Sequence, residues 1–102
     1  MIEAIDQQRN AVAALCQSTG ALRLAAFGSA IRDDFDPERS DLDFLVAFDD
    51  LPPARYADAY FALKAGLEAL FGLPVDLITD RSLANPYFRE QVRAEARTLY
   101  AR

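Results

Sequence analysis

Asp41 and Asp43 stand at the mouth of an apolar run, Phe44-Leu45-Val46-Ala47-Phe48, that reads as a buried strand. Side chains on a strand alternate between faces, so residues two apart point the same way and the two carboxylates face one point in space. Two like charges held together there call for a counter-charge. A divalent cation such as Mg²⁺ meets that need, because it takes oxygen ligands, keeps several waters, and is usually held by one or two carboxylates plus substrate phosphates.

A second constraint lies just upstream. Residues 22–27, Leu-Arg-Leu-Ala-Ala-Phe, read as a strand that breaks at Gly28, where a backbone without a side chain lets a ligand approach closely. Ser29 reads as the N-cap of a short helix, whose N-terminus would offer unpaired N–H groups and a favourable dipole to a phosphate. A Gly-Ser turn and a carboxylate pair within one segment are the equipment for holding a nucleoside triphosphate by its phosphates and metals. Taken singly, the acids also fit a solvated strand entrance, and Gly28-Ser29 an ordinary turn and cap. Arg32 and Arg39 are placed either to steady phosphates or to pair with neighbouring acids, and Ser40 to assist the nucleotide or cap the turn.

Residues 27–46, from Phe27-Gly28-Ser29 to Ser40-Asp41-Leu42-Asp43-Phe44-Leu45-Val46, resemble the signature of the minimal nucleotidyltransferases (MNT). These are small members of the polymerase-β-like nucleotidyltransferase superfamily, in which a Gly-Ser turn is followed by Asp-x-Asp. The interval from Ala30 to Ser40 is one residue longer than the family pattern, with the extra residue assigned to the Asp36 to Arg39 turn. Val75-Asp76-Leu77-Ile78 looks like the later strand that supplies the family's third carboxylate. Asn85-Pro86-Tyr87-Phe88-Arg89-Glu90, running into a final helix that ends at Leu99-Tyr100, is similar to the C-terminal segment of MNT-type antitoxins, which are paired with HEPN-domain toxins.

The resemblance implies an α/β (α+β) fold, a small mixed β-sheet with helices packed on it, as a single domain over residues 1–102. It implies Asp41, Asp43 and Asp76 as the catalytic carboxylates and ligands of two Mg²⁺ ions, with Gly28, Ser29, Arg32 and Ser40 on the nucleotide. It further implies a protein adenylyltransferase that moves AMP from ATP to a hydroxyl, expected to be tyrosine, of a HEPN toxin and so acts as an antitoxin. The alternative is a catalytically idle antitoxin that neutralises a HEPN partner by occlusion, which the lengthened interval favours. A small-molecule nucleotidyltransferase would need an added acceptor-binding domain.

Composition narrows the field. Eleven basic against 16 acidic side chains leave a net charge of −5, which disfavours direct nucleic-acid binding, a process that depends on basic surface to displace counterions. Histidine is absent, which removes His-based catalysis and His-ligated zinc, and there is no P-loop. No apolar run approaches the roughly 20 residues that span a bilayer and no signal-peptide pattern opens the chain, so a cytoplasmic protein is expected. The lone Cys16 sits in an apolar helical pattern and reads as a small buried hydrophobe.

Along the chain, residues 3–18 read as one helix with Ile5, Val12 and Leu15 on a face. Strands at 22–27 and 42–48 follow, and Pro52-Pro53 is a breaker. Residues 54–71 read as an amphipathic helix carrying Tyr56, Tyr60, Leu63, Leu67 and Leu70 toward the sheet. In the strand expected at 75–79, Asp76 shares its face with Ile78. Asn85 caps a last helix with Pro86 at its first position and an apolar stripe of Phe88, Val92, Ala96 and Leu99. The remaining aromatic rings, among them Phe71, Tyr87 and Tyr100, suit core or interface better than base stacking.

Overall fold

The computed structural model describes residues 3–31, 41–79 and 83–102. Two helices, α1 (Glu3–Gln7) and α2 (Arg9–Thr19), lead into strand β1 (Ala21–Phe27) and a 3₁₀ turn at Gly28–Ala30. Strand β2 (Leu42–Phe48), helix α3 (Pro53–Phe71), strand β3 (Val75–Thr79), helix α4 (Pro86–Glu95) and strand β4 (Arg97–Ala101) complete the chain. The sheet is mixed, in the order β3-β2-β1-β4, with β1 antiparallel to both β2 and β4 and β2 parallel to β3. This is the small α+β sheet that the sequence led us to expect.

Alternation along the strands sorts side chains into two cores. Leu24, Ala26, Leu42, Phe44, Val46, Val75 and Leu77 meet Ile5, Val12 and Cys16 of α1 and α2 and Leu63 and Leu67 of α3 in the larger one. Phe44 stacks on Phe71 with ring centroids 6.1 Å apart. On the opposite face, Phe27 packs with Leu83 and Val92 in a smaller cluster joined by the half-buried Leu45, Ile78 and Ala96. The apolar run in β2 is therefore buried on one face and only partly covered on the other, where, among the described residues, α4 and Leu83 lie.

Two elements differ from the sequence reading. The first helix is divided at Gln8, whose N–H reaches the Ile5 carbonyl three residues back at 3.1 Å, a tightened turn between α1 and α2. The final helix stops at Glu95, and Ala96 turns extended (φ −62°, ψ 139°). The next five residues pair with β1 instead of continuing the helix. An unpaired β1 edge would leave a row of backbone donors and acceptors without partners, and β4 satisfies them. A bulge between the Ala25–Thr98 and Leu24–Tyr100 pairs makes Leu99 the extra residue, buried in the larger core rather than in a helical stripe. The Asn85 cap is as expected: its Oδ1 accepts from the N–H groups of Tyr87 at 2.9 Å and Phe88 at 3.4 Å, with Pro86 first in the helix.

Cys16 is fully buried, and burial pushes its thiol up to about 11 from the ordinary 9.0. Between those values an unfolded chain releases the proton and the folded chain keeps it, so stability declines as pH rises through that window. Urea titrations from pH 8 upward should show this decline, and Cys16→Ala should remove it. Phe44→Ala, which empties the centre of the larger core, should cost about 3–5 kcal/mol in the same assay.

Candidate active site

Parallel pairing of β2 with β3 sets Asp43 directly opposite Asp76. The register is fixed from both ends of that step. The Leu42 N–H donates to the Pro74 carbonyl at 3.0 Å, and the Val75 N–H donates to the Glu68 carboxylate of α3 at 3.1 Å. The Tyr60 hydroxyl of α3 donates to the Leu77 carbonyl at 2.6 Å. Helix α3 thus grips the two residues that flank Asp76, and the larger core keeps Val75 and Leu77 inward while Asp76 faces out beside Ile78.

The turn after β1 meets this pair from the other side. Phe27 pairs with Asp43 in the antiparallel ladder, so the chain leaves β1 against the Asp43 side chain. Gly28 has φ +59°, and a Cβ there would lie 2.5 Å from Asp43 Oδ2. Only glycine fits both the left-handed backbone and the contact. Phe27, Gly28, Asp43, Asp76 and Ile78 floor a cavity of about 320 Å³, walled on its α4 side by Phe88, Gln91, Val92 and Glu95.

The structure thus brings together Gly28, Asp43 and Asp76. Asp41 lies one residue ahead of β2, exposed, and does not border the cavity. Ser29 lies in the 3₁₀ turn. Arg32, Ser40 and the longer turn around Asp36 to Arg39 lie outside the described residues. Sequence reasoning did not single out Gln91 and Glu95. The signal was present, because they continue the Phe88–Val92 stripe at helical spacing on the face that α4 turns to the sheet.

Among the described residues, no three acidic or sulfur-bearing side chains gather closely enough to enclose a metal ion by themselves. The donor set is nonetheless all oxygen, two carboxylates in register beside Gly28, which suits Mg²⁺ that draws its remaining ligands from water and phosphate. Asp43 and Asp76 are placed to hold such an ion.

Asp43 and Asp76 thus face a glycine turn on a four-stranded mixed sheet, an oxygen-only donor set beside a backbone that has no Cβ at Gly28. The chain matches the nucleotidyltransferase domain over residues 6–99 and belongs to that family of enzymes. A Methanocaldococcus jannaschii protein provisionally named a protein adenylyltransferase is 38% identical over 72 residues, 71% of this chain and 70% of that protein. The protein adenylyltransferase MntA of Thermococcus cleftensis is 39% identical over 64 residues, 63% of this chain and 61% of that protein. A solved structure provisionally described as a minimal nucleotidyltransferase is 42% identical, with a TM-score of 0.69 over 93% of this chain and 92% of that one. The same fold, at 23% identity and a TM-score of 0.64, covers 96% of this chain and 73% of its counterpart in a complex of tri-AMPylated Shewanella oneidensis HEPN toxin with MNT antitoxin. Among the described residues, no helix is long and apolar enough to cross a membrane.

Gly28→Ala isolates the contact at the site. Gly72 also has a positive φ, +65°, but no atom lies within 4 Å of where its Cβ would be. Each alanine should cost about 1–2 kcal/mol in urea unfolding through backbone strain. Only Gly28→Ala should also displace the Asp43 carboxylate and lower Mg·ATP affinity by about tenfold or more in calorimetry, a loss of at least roughly 1.4 kcal/mol.

Proposed function

We propose that this nucleotidyltransferase moves AMP from ATP to a hydroxyl, expected to be tyrosine, of a HEPN-domain toxin and thereby silences it. The observation that carries this reading is the in-register pair Asp43 and Asp76 facing Gly28 across one small cavity. The protein adenylyltransferase names of the relatives support the donor and the acceptor class. The neighbour in complex with a toxin that carries three AMP groups supports a HEPN partner and more than one addition.

In this mechanism the backbone N–H groups of the Gly28-Ser29 turn hold the outer phosphates, assisted by Arg32 and Ser40. Asp43 and Asp76, with Asp41 at the strand entrance, hold the metal side of the triphosphate. Bound Mg²⁺ supplies charge neutralisation and a lowered pKa for the attacking hydroxyl. In this reading Asp76, exposed at the sheet edge, assists removal of that proton. The carboxylates and the turn fix the phosphates so that pyrophosphate leaves in line, and the rate enhancement rests on positioning and charge stabilisation. Tyr87 is 86% exposed beside Phe88 of the cavity wall, which supports a macromolecular acceptor lying across the mouth, since aromatic rings are enriched at interfaces.

The one-residue-longer interval between Gly28-Ser29 and Asp41 favours a second reading, an antitoxin that occludes its partner without turnover. One experiment separates the two. Incubated with Mg·ATP and its HEPN partner, an active transferase should leave AMP covalently on the partner after the proteins are parted, as intact mass spectrometry reads. Asp43→Asn should lower the rate by about a hundredfold or more. A partner that stays unmodified and is inhibited equally by parent and Asp43→Asn would establish occlusion instead.

A further inference from the structure

Helix α4 turns two adjacent stripes to the sheet. Phe88, Val92 and Glu95 border the acidic cavity, whereas Arg89 and Arg93, one turn apart, border a second and larger one of about 620 Å³. Arg23 of β1 faces them across it, and Leu45 and Ala96 give it an apolar wall. Three arginines lining one cavity are unexpected in a chain with net charge −5. Among the described residues, no ion pair or side-chain hydrogen bond engages any of the three. Arginine presents a planar fork of donors that matches phosphate oxygens two at a time.

The two cavities are neighbours by construction. Leu45 follows Asp43 by two residues on the same face of β2, a step of about 7 Å along the strand. A ligand that fills the arginine cavity therefore abuts Leu45, the next residue after Asp43 on that face of β2. The donor's phosphates belong at the Gly28 turn, so the arginine cavity is on the acceptor side. Its volume falls in the usual range for small-ligand sites, about 300–1,000 Å³, and an apolar wall beside bound phosphate suits a ribose and base. A bare carboxylate on a peptide would leave that wall unused.

We infer that Arg23, Arg89 and Arg93 form a second nucleotide-phosphate subsite, which holds the phosphate of an acceptor-side nucleotide while its ribose hydroxyl enters the carboxylate site. Resting on the AMP transfer proposed above, the subsite gives the later additions, of the kind that the tri-AMPylated neighbour displays, a place to anchor. An AMP already on the partner anchors its phosphodiester on the arginines, and its ribose hydroxyl attacks the α-phosphorus of a new ATP. The new O–P bond forms as the bond to the leaving pyrophosphate breaks, and the hydroxyl proton passes to the carboxylate pair and on to solvent. The same chemistry would accept a free nucleotide in place of the attached one.

The test has two arms. With the HEPN partner and Mg·ATP, the Arg89→Ala/Arg93→Ala double variant should lower the ratio of second to first AMP addition by about tenfold or more in intact mass spectra, because charge-assisted phosphate contacts are lost. In the other arm, 5′-AMP titrated without metal into the protein alone should bind the double variant at least about tenfold more weakly than the parent. Both effects together identify the attached AMP as the occupant. Weakened 5′-AMP binding with an unchanged ladder identifies a free nucleotide. If the parent adds no AMP at all, the transfer reading fails, and the titration still decides the cavity. Unchanged 5′-AMP binding, or first and later additions falling together as they would if the arginines served partner docking, overturns the subsite.

Discussion

Setting two carboxylates side by side is electrostatically unfavourable, and the parallel ladder between β2 and β3 is what imposes it. Asp43 and Asp76 are more than thirty residues apart in sequence, yet the ladder fixes them as direct neighbours. The stabilisation that permits this comes from elsewhere. Leu42, Phe44, Val75 and Leu77 alternate with the acids and are buried in the larger core, so register cannot slip by one residue without turning that whole set out to solvent. The Tyr60 and Glu68 side chains fasten β3 at its backbone, on either side of Asp76. Burial of one face thereby fixes the acid pair on the other.

The sheet's second face shows why such a small chain can carry a site at all. The larger core is served by α1, α2 and α3, and among the described residues the opposite face is covered by α4 and Leu83. Partial cover produces cavities where full cover would produce core. Val92, almost fully buried, seats α4 on Phe27, and the flanking positions of the helix line the acidic cavity on one side and the arginine-bearing one on the other. The apolar contact that anchors α4 and the polar positions around it thus follow from the same helical spacing.

Much of this was legible in the chain. Strands at 42–48 and 75–79 coincide with the sequence reading, as does the Asn85-Pro86 start of α4, because each rests on local chemistry: alternation, an apolar run between breakers, and a capping side chain. Placing Asp76 beside Asp43 required only that the third strand lie next to the second. The C-terminal segment was misread for the opposite reason. Ala96 and Leu99 fit a helical stripe as well as a strand, and the choice is made by the open β1 edge, a feature of the sheet that no local window contains. The bulge that buries Leu99 is equally non-local.

The sequence by itself determined the chemistry: which acids stand on strands, where the glycine break falls, and that no histidine or P-loop takes part, since these follow from residue type and short-range spacing. Tertiary structure alone decided which groups share a cavity. Glu95 and Gln91 border the acidic one because α4 docks by Val92 onto Phe27, and Arg23 meets Arg89 and Arg93 because β1 runs at the centre of the sheet between β2 and β4. Those encounters depend on long-range packing of apolar faces, whose geometry is set by all the buried residues together and is therefore written in no single segment.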